Sequence, residues 1–523
     1  MKKLFYLLFT IFGMPCFSQQ VPFFISLQQA DAPGLPYIHS YAKAQSGDKW
    51  LIVAGRVDGL HSLFPNLAFS FTEQNNNIFV IDTSTWDVWQ SSLNNVPYEV
   101  RRSLSATNTQ FRQAGNQLYI IGGYGYDSIN ELKRTFSTLT ALDVDGLIGE
   151  ITSGGNAISQ YVRQVNDTVF AVTGGKLEAV GGKWYIAGGQ NFGGLYSKTD
   201  QGLFTQRYTN SISSFDLNDD GINLSVSNFS SLTDTVNFHR RDLNSAPWIS
   251  ASGEEGFGVY GGVFQYEHNL PYRNPVYTTM GVSVVDFSME QKMSQYQCPV
   301  MPLFDSVSND MYTIFIGGIS LYFFDSVSQT LLEDTLVPFI RDISSLIHHA
   351  DGTTDEVLLP IQLPERSAAN AEFFASLSLP HFENGVFKLR AFTQPVMLGY
   401  IYGGIISTAG NDGSTNASNK VYRVMLYPDF GSGISFAGNE KFLLYPNPAD
   451  DVTQLLLNIP VSLIESITVT DAMNHVVKKI DLQRSAEAAS RIIIGTTGYV
   501  PGIYAIVIKT AASFYSLRLV IVR

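Results

Sequence analysis

The chain is short of cysteine, of charge and of long apolar runs. Only Cys16 and Cys298 occur in 523 residues, and charged residues make up 15%, against roughly 25% in an average soluble protein. So few cysteines exclude a disulfide framework and leave stability to burial. Basic residues are also outnumbered, 33 against 46 acidic ones, for a net charge of −13. That balance argues against a nucleic-acid backbone as partner. The one long uncharged apolar stretch, residues 4–12, falls well short of the ~20 residues a membrane-crossing helix needs. Aromatics, by contrast, reach 13% and hydrophobic residues 45%, enough for a large core and far from the composition of a disordered chain. The length exceeds one ordinary domain.

The N-terminus reads as an address. Met1-Lys2-Lys3 precedes the apolar stretch, and Cys16-Phe17-Ser18 stands just before Gln19; a basic start, a short apolar segment and a small residue at the exit describe a secretory signal peptide over residues 1–18. Gly13-Met14-Pro15 ahead of Cys16 is unlike a lipid-attachment sequence. Losing Lys2 and Lys3 leaves a mature chain near −15 with Cys298 as its single thiol.

The other end carries Tyr445-Pro446-Asn447-Pro448, then Ile467-Thr-Val-Thr-Asp471 with Asn474 in the following turn, then Gly502-Ile503-Tyr504, and a last strand ending in Arg523. Residues 441–523 thereby resemble the type A C-terminal sorting domain of the type IX secretion system; Asn474 stands where that family's turn usually has glycine, a position Asn tolerates. Apart from any family, β-rich runs separated by turn residues describe a small Ig-like β-sandwich here. The resemblance implies export across the outer membrane, to the cell surface or beyond, with the type IX machinery as partner.

Between the two ends, an apolar strand running into two small residues recurs. It ends at Ala54-Gly55, Gly122-Gly123, Gly188-Gly189, Gly261-Gly262, Gly317-Gly318 and Gly403-Gly404. Five of these units continue with a strand closing on Asp82, Asp143, Asp216, Asp286 or Asp325. The pattern resembles the blade of a kelch-type β-propeller, although only the first unit has the expected tryptophans, Trp86 and Trp89. The expected fold is all-β: a six-bladed propeller over residues 19–427, a linker over 428–440 and the sandwich over 441–523. A seventh blade is the alternative, since the long interval before Gly403 holds Glu356-Val-Leu-Leu359 and Val386-Phe-Lys-Leu389. Pro36-Tyr-Ile-His-Ser-Tyr-Ala42 reads as the strand that closes the ring.

The chemistry is sparse. His239-Arg240-Arg241-Asp242 stands out in a charge-poor chain, with an echo at Arg101-Arg102. Arg102 and Arg241 each lie 20 residues before a glycine pair, so they are expected at equivalent places on two blades. There they would either grip an anion with paired hydrogen bonds or tie loop carbonyls together. Asp216-Leu-Asn218-Asp219-Asp220-Gly221 matches half a calcium loop, but Ser227 replaces the closing Glu, and a hairpin turn explains it better. Cys298 lacks the companions of a copper–radical site. Glu254, Glu255, His268, Arg273, His348, His349, Glu365 and Arg366 supply charge without a fixed geometry. No metal or cofactor is expected. The reading is an exported recognition module for a glycan, peptide or protein, with a carbohydrate-active lyase, epimerase or oxidase at the axial mouth as the alternative.

Overall fold

The computed structural model describes residues 21–522 apart from 66, 326, 327, 329, 429, 431–441, 458–460, 472–474, 481, 483–490 and 511–513. The expected signal peptide, most of the expected linker and Asn474 lie outside the described residues. The chain divides into two compact units, the larger of which spans Ile25–Pro428. No described helix is long and apolar enough to cross a membrane.

The larger unit is built from small antiparallel sheets. The first contains Ala42–Ser46, Lys49–Val53, Asn77–Asp82 and Val88–Ser92; the second Gln110–Ala114, Gln117–Ile121, Thr138–Asp143 and Val162–Asn166. The third contains Lys176–Val180, Lys183–Ala187, Ser211–Asp219 and Leu224–Thr233; the fourth Asn244–Ile249, Glu255–Tyr260, Val276–Thr279 and Val282–Val285. In the fifth, Val300–Asp305, Asp310–Ile316, Asp342–His348 and Thr354–Gln362 follow in turn. The sixth takes Arg366–Ala375, Val396–Ser407 and Val421–Pro428 from the end of the unit and Phe23–Gln29 from its beginning. Two helices, α1 (Tyr98–Leu104) and α2 (Val144–Thr152), fill connections.

Both faces of these sheets are apolar because each packs on a neighbour. Leu51, Val53 and Val80 of the first sheet share a core with Leu118 and Ile120 of the second; Tyr119 and Ile121 share one with Trp184 and Ile186 of the third. The third and fourth meet through Tyr185, Ala187, Phe257 and Val259, and the fourth and fifth through Tyr260 and Phe315. Ile319 and Phe339 meet Ala369 and Ile405. Trp50 of the first sheet lies flat on Phe374 of the sixth, with ring centroids 4.1 Å apart, beside Tyr402. Each such side chain contributes about 1.5–3 kcal/mol by leaving water.

The paired small residues turn the chain at one end of every sheet. In all six pairs both residues have positive φ, 56–72° and then 85–92°, which is why five of the six are Gly-Gly. A Cβ on Gly122 would stand 2.0 Å from the Val172 carbonyl oxygen. The second residue then donates to the next sheet: Gly55 to Ala106 (2.8 Å), Gly123 to Val172 (2.9 Å), Gly189 to Arg240 (2.7 Å) and, from the sixth sheet to the first, Gly404 to Ile38 (2.9 Å).

Three expectations are corrected. The strand that completes the sixth sheet is Phe23–Gln29, not the 36–42 segment, whose short extended pieces are broken by Pro36 and the left-handed Ser40. Among the described residues Tyr322–Asp325 pairs only with Thr330–Glu333 in a separate hairpin, because the three residues between Gly318 and Tyr322 leave too little chain to return to the sheet; Asp342–His348 takes that place. The two candidate strands of a seventh sheet both belong to the fifth: residues 356–359 lie in its outer strand, and Phe387–Lys388 runs parallel to its first strand.

The C-terminal unit has a three-stranded sheet of Phe442–Tyr445, Val452–Leu457 and Arg491–Gly495, and a four-stranded one of Val476–Ile480, Ile464–Thr470, Gly502–Thr510 and Phe514–Ile521. Leu455, Ile467, Val469, Ile494, Ile506 and Leu519 form their common core.

Candidate functional site

At the turn end of the sheets of the larger unit a bridge recurs: His39 with Arg56, Thr107 with Tyr124, Thr173 with Gln190, Arg241 with Val263, and Tyr296 with Ile319. The residue after each first partner, Ser40, Asn108, Gly174, Asp242 or Gln297, is left-handed, and so is Asn370 of the sixth sheet. Backbone N–H groups link these six across the sheets: Ser40 donates to Asn370 (3.1 Å), Asn370 to Gln297 (2.5 Å), Gly174 to Asn108 (3.0 Å) and Asp242 to Gly174 (2.6 Å). They gather around one centre, and five of them line a single small cavity. His39, Thr107, Thr173, Arg241 and Tyr296 stand one residue outside it and define a mouth.

A further sheet stands at this mouth. Hairpins emerging from Gly123 and Gly189 combine Tyr124–Asp127, Leu132–Thr135, Gln190–Gly194 and Phe204–Tyr208. Within it Tyr124 and Tyr196 both meet Phe192, at 5.4 and 6.2 Å between ring centroids, and Tyr208 ends the last strand. His61, from the loop after the first pair, stacks on Phe69 at 4.4 Å and meets the Tyr196 edge at 4.5 Å. Arg241 sits opposite. Its Nη1 donates to the Tyr208 hydroxyl, its Nε lies 3.3 Å from Asp242, and its guanidinium is 5.1 Å from the Phe264 ring centre. Nη2 has no hydrogen-bond partner among the described residues.

The electrostatics join these groups. Burial pushes the His61 imidazole down to about 4, and the charges of Arg241 and Arg56 push the same way. Burial raises Tyr196, Tyr208 and Tyr296 above the ordinary phenol value, with Arg241 close enough to oppose it at each. At neutral pH the mouth therefore presents the neutral His61 imidazole, tyrosine O–H groups and the Arg241 cation, while the Arg56 cation is paired with Asp58. Its carboxylates are committed. Burial works against ionisation of Asp58, but His39 and a two-pronged contact from Arg56 (2.8 and 2.6 Å) hold it at about 2. Asp242 accepts from Gln297 at 3.1 Å and faces Arg241.

The expected site residues separate. His239, Arg241 and Asp242 are at the mouth; His239 stacks on Tyr208 at 3.7 Å and contacts Asn210 at 2.8 Å. Arg240 is fully buried beneath it, donating to the carbonyls of Asn237, Gly261 and Asn274. Arg101 and Arg102 lie on α1, where Arg102 meets Glu99 at 3.0 Å and Asn166 at 3.3 Å. The expected equivalence of Arg102 and Arg241 is thus corrected: the counterpart of Arg241 in the second sheet is Thr107. The intervening hairpin is longer in the fourth sheet, so equal spacing from the glycines does not mean equal position. His348 and His349 lie elsewhere, His349 between Asp310 and Asp355. Asp219-Asp220-Gly221 is the hairpin turn of the third sheet. His39, Arg56, His61, Tyr196, Tyr208 and Tyr296 were not singled out; of these only Arg56, directly after Ala54-Gly55, is marked by its place beside a small-residue pair.

In the C-terminal unit, Asn447 clamps the last strand from both sides, donating to the Arg518 carbonyl (2.7 Å) and accepting from Val520 N–H (2.8 Å). Pro446 accepts from Thr453, Pro448 follows a cis bond, and Tyr504, two residues after Gly502, donates to the Val500 carbonyl (2.9 Å). Tyr445 closes the strand Phe442–Tyr445.

Residues 443–522 match the family described as "Secretion system C-terminal sorting domain". The chain is accordingly exported across the outer membrane by type IX secretion, to the cell surface or the medium. No curated protein matches the chain. A solved structure described as "Structure of YjhT" is similar over 74% of this chain and 98% of its own, at 13% identity and a TM-score of 0.38.

Proposed function

We propose that residues 25–428 form a closed six-bladed kelch-like β-propeller whose mouth recognises an acidic saccharide at or beyond the cell surface. Closure is supported by the apolar layer between the first and sixth sheets and by the Gly404–Ile38 and Ser40–Asn370 hydrogen bonds. Sheets arranged this way shield one another's faces and leave only short edges.

The observation that carries the ligand class is Arg241, held by Tyr208 and Asp242 among aromatic rings with Nη2 unspent. A fixed guanidinium suits a carboxylate, and the flat faces around it suit the apolar face of a sugar ring. Calorimetric titration with an oligogalacturonide and with a neutral oligosaccharide of equal length tests this. The acidic oligomer binds and the neutral one does not. Replacing Arg241 with Ala weakens binding about 10- to 150-fold, the equivalent of one charge-assisted hydrogen bond of roughly 1.5–3 kcal/mol. Equal binding of both probes overturns the reading. The enzyme alternative requires a free acid–base pair, and Asp58 and Asp242 are both engaged; cleavage or isomerisation of the oligomer during titration would favour it instead.

A further inference from the structure

Below the left-handed residues that gather at the mouth, the centre of the larger unit continues into a cavity of about 140 Å³. Lys43, Lys176 and Glu372 line it, with Asn244, Ser245 and Cys298. It adjoins the smaller cavity of about 30 Å³ at the mouth, and Lys176, Cys298 and Glu372 line both. By volume it holds several waters.

The charges in it are unbalanced. Among the described residues, neither lysine ammonium nor the Glu372 carboxylate has a hydrogen-bond or ion-pair partner, and Lys43 rests only over the Phe374 ring, 4.8 Å from its centre. The neighbouring Glu178 is taken: Arg112 pairs with it and Ser245 donates to it. Two cations and one anion remain, a surplus of one positive charge in a confined space where an uncompensated charge is costly.

The other polar groups of the wall are also spent. Asn244 donates to the Gln295 carbonyl and accepts from Cys298 N–H. No planar fork or oriented donor pair is left to read the shape of a carboxylate or phosphate. What remains are two ammonium groups, compact point charges on flexible stems. Such a pair selects for charge and size and not for shape.

We propose that this axial cavity binds one small spherical anion, a halide, between Lys43 and Lys176. The site is distinct from the saccharide mouth and does not depend on it. Burial and the charges of Lys176 and Arg112 lower the affinity of Lys43 for its proton, while Glu372 opposes this; a bound anion favours the ammonium and supplies the missing counter-charge.

The test uses the full exported chain. Crystals soaked in sodium bromide should show an anomalous bromine peak inside the cavity. In solution, the melting temperature should rise saturably with bromide at constant ionic strength balanced by gluconate, as expected of a ligand bound only by the folded state. The Lys43→Met/Lys176→Met variant should lose both responses, and Arg241→Ala should keep them. Should the double variant fail to fold, the bromine peak in the unmodified chain decides. No peak in the cavity, a melting-temperature rise seen only at molar bromide (an adventitious ion only), or an equal response to acetate would each overturn the proposal.

Discussion

Arg240 and Arg241 are consecutive residues in two unlike regions, the interior of the fourth sheet's turn and the mouth. Arg240 is surrounded by acceptors: three backbone carbonyls take its hydrogen bonds, Tyr272 lies 4.3 Å below its plane, and 1% of it is exposed. Arg241 is surrounded by ring faces, a hydroxyl and one carboxylate. The first arrangement satisfies the guanidinium and closes the site. The second holds the guanidinium in place and leaves part of it unspent. The residue type is the same; the neighbours decide whether it is a fastener or a receptor.

The interior should respond to truncation through stability alone. Trp50→Ala, which removes the ring stacked on Phe374 between the first and sixth sheets, should cost about 3–5 kcal/mol, read from denaturant midpoints. Arg240→Ala should come next. It leaves three carbonyls without their donor, a loss of roughly 1–3 kcal/mol in total once water enters the vacated space, and saccharide affinity of the folded fraction should not change. Arg241→Ala should reverse that pattern, with affinity lost and the midpoint nearly constant; an equal loss of stability for both arginines would erase the distinction between the regions.

The smallest effect is at His61. Its folded pKa of about 4 lies below the ordinary histidine value of 6.5, so between these limits the unfolded chain binds the extra proton. Stability is therefore complete above about pH 6.5 and declines as the pH falls toward 4. The imidazole is faced by Arg56, Arg241 and Asp58, in addition to the rings of Phe69 and Tyr196. A shallow fall in melting temperature over this range, removed by His61→Phe, which keeps the stacking, is the expected result.

Some of this was written locally and could be read. The Gly pairs are detectable because two consecutive left-handed residues almost demand glycine, and Asn447 is detectable because its clamp depends on a four-residue motif. The mouth was not legible in the same way. Arg241 meets residues from three loops, and its position is fixed by bridges whose partners are 22 residues apart in the fourth sheet, Arg241 to Val263, but 17 apart in the second, Thr107 to Tyr124. Hairpin length varies between sheets, so counting back from the glycines pointed to Arg102, a helix residue. Leu321-Tyr-Phe-Phe-Asp325 misled for a related reason: strand composition does not say which strand will pair with it.

The outermost strand of the sixth sheet, Phe23–Gln29, comes from the start of the unit and is held by Ala30 N–H donating to the Val421 carbonyl (2.9 Å). That contact spans almost the whole larger unit, so within that unit it is among the last that a chain appearing from its N-terminus can make. Until then Phe23–Gln29 has no partner strand in its sheet and is an open template for a strand of another molecule, and contacts of such long sequence separation form slowly. Folding of the larger unit therefore has an end point set by order of arrival: its first strand must wait, unpaired, for its last.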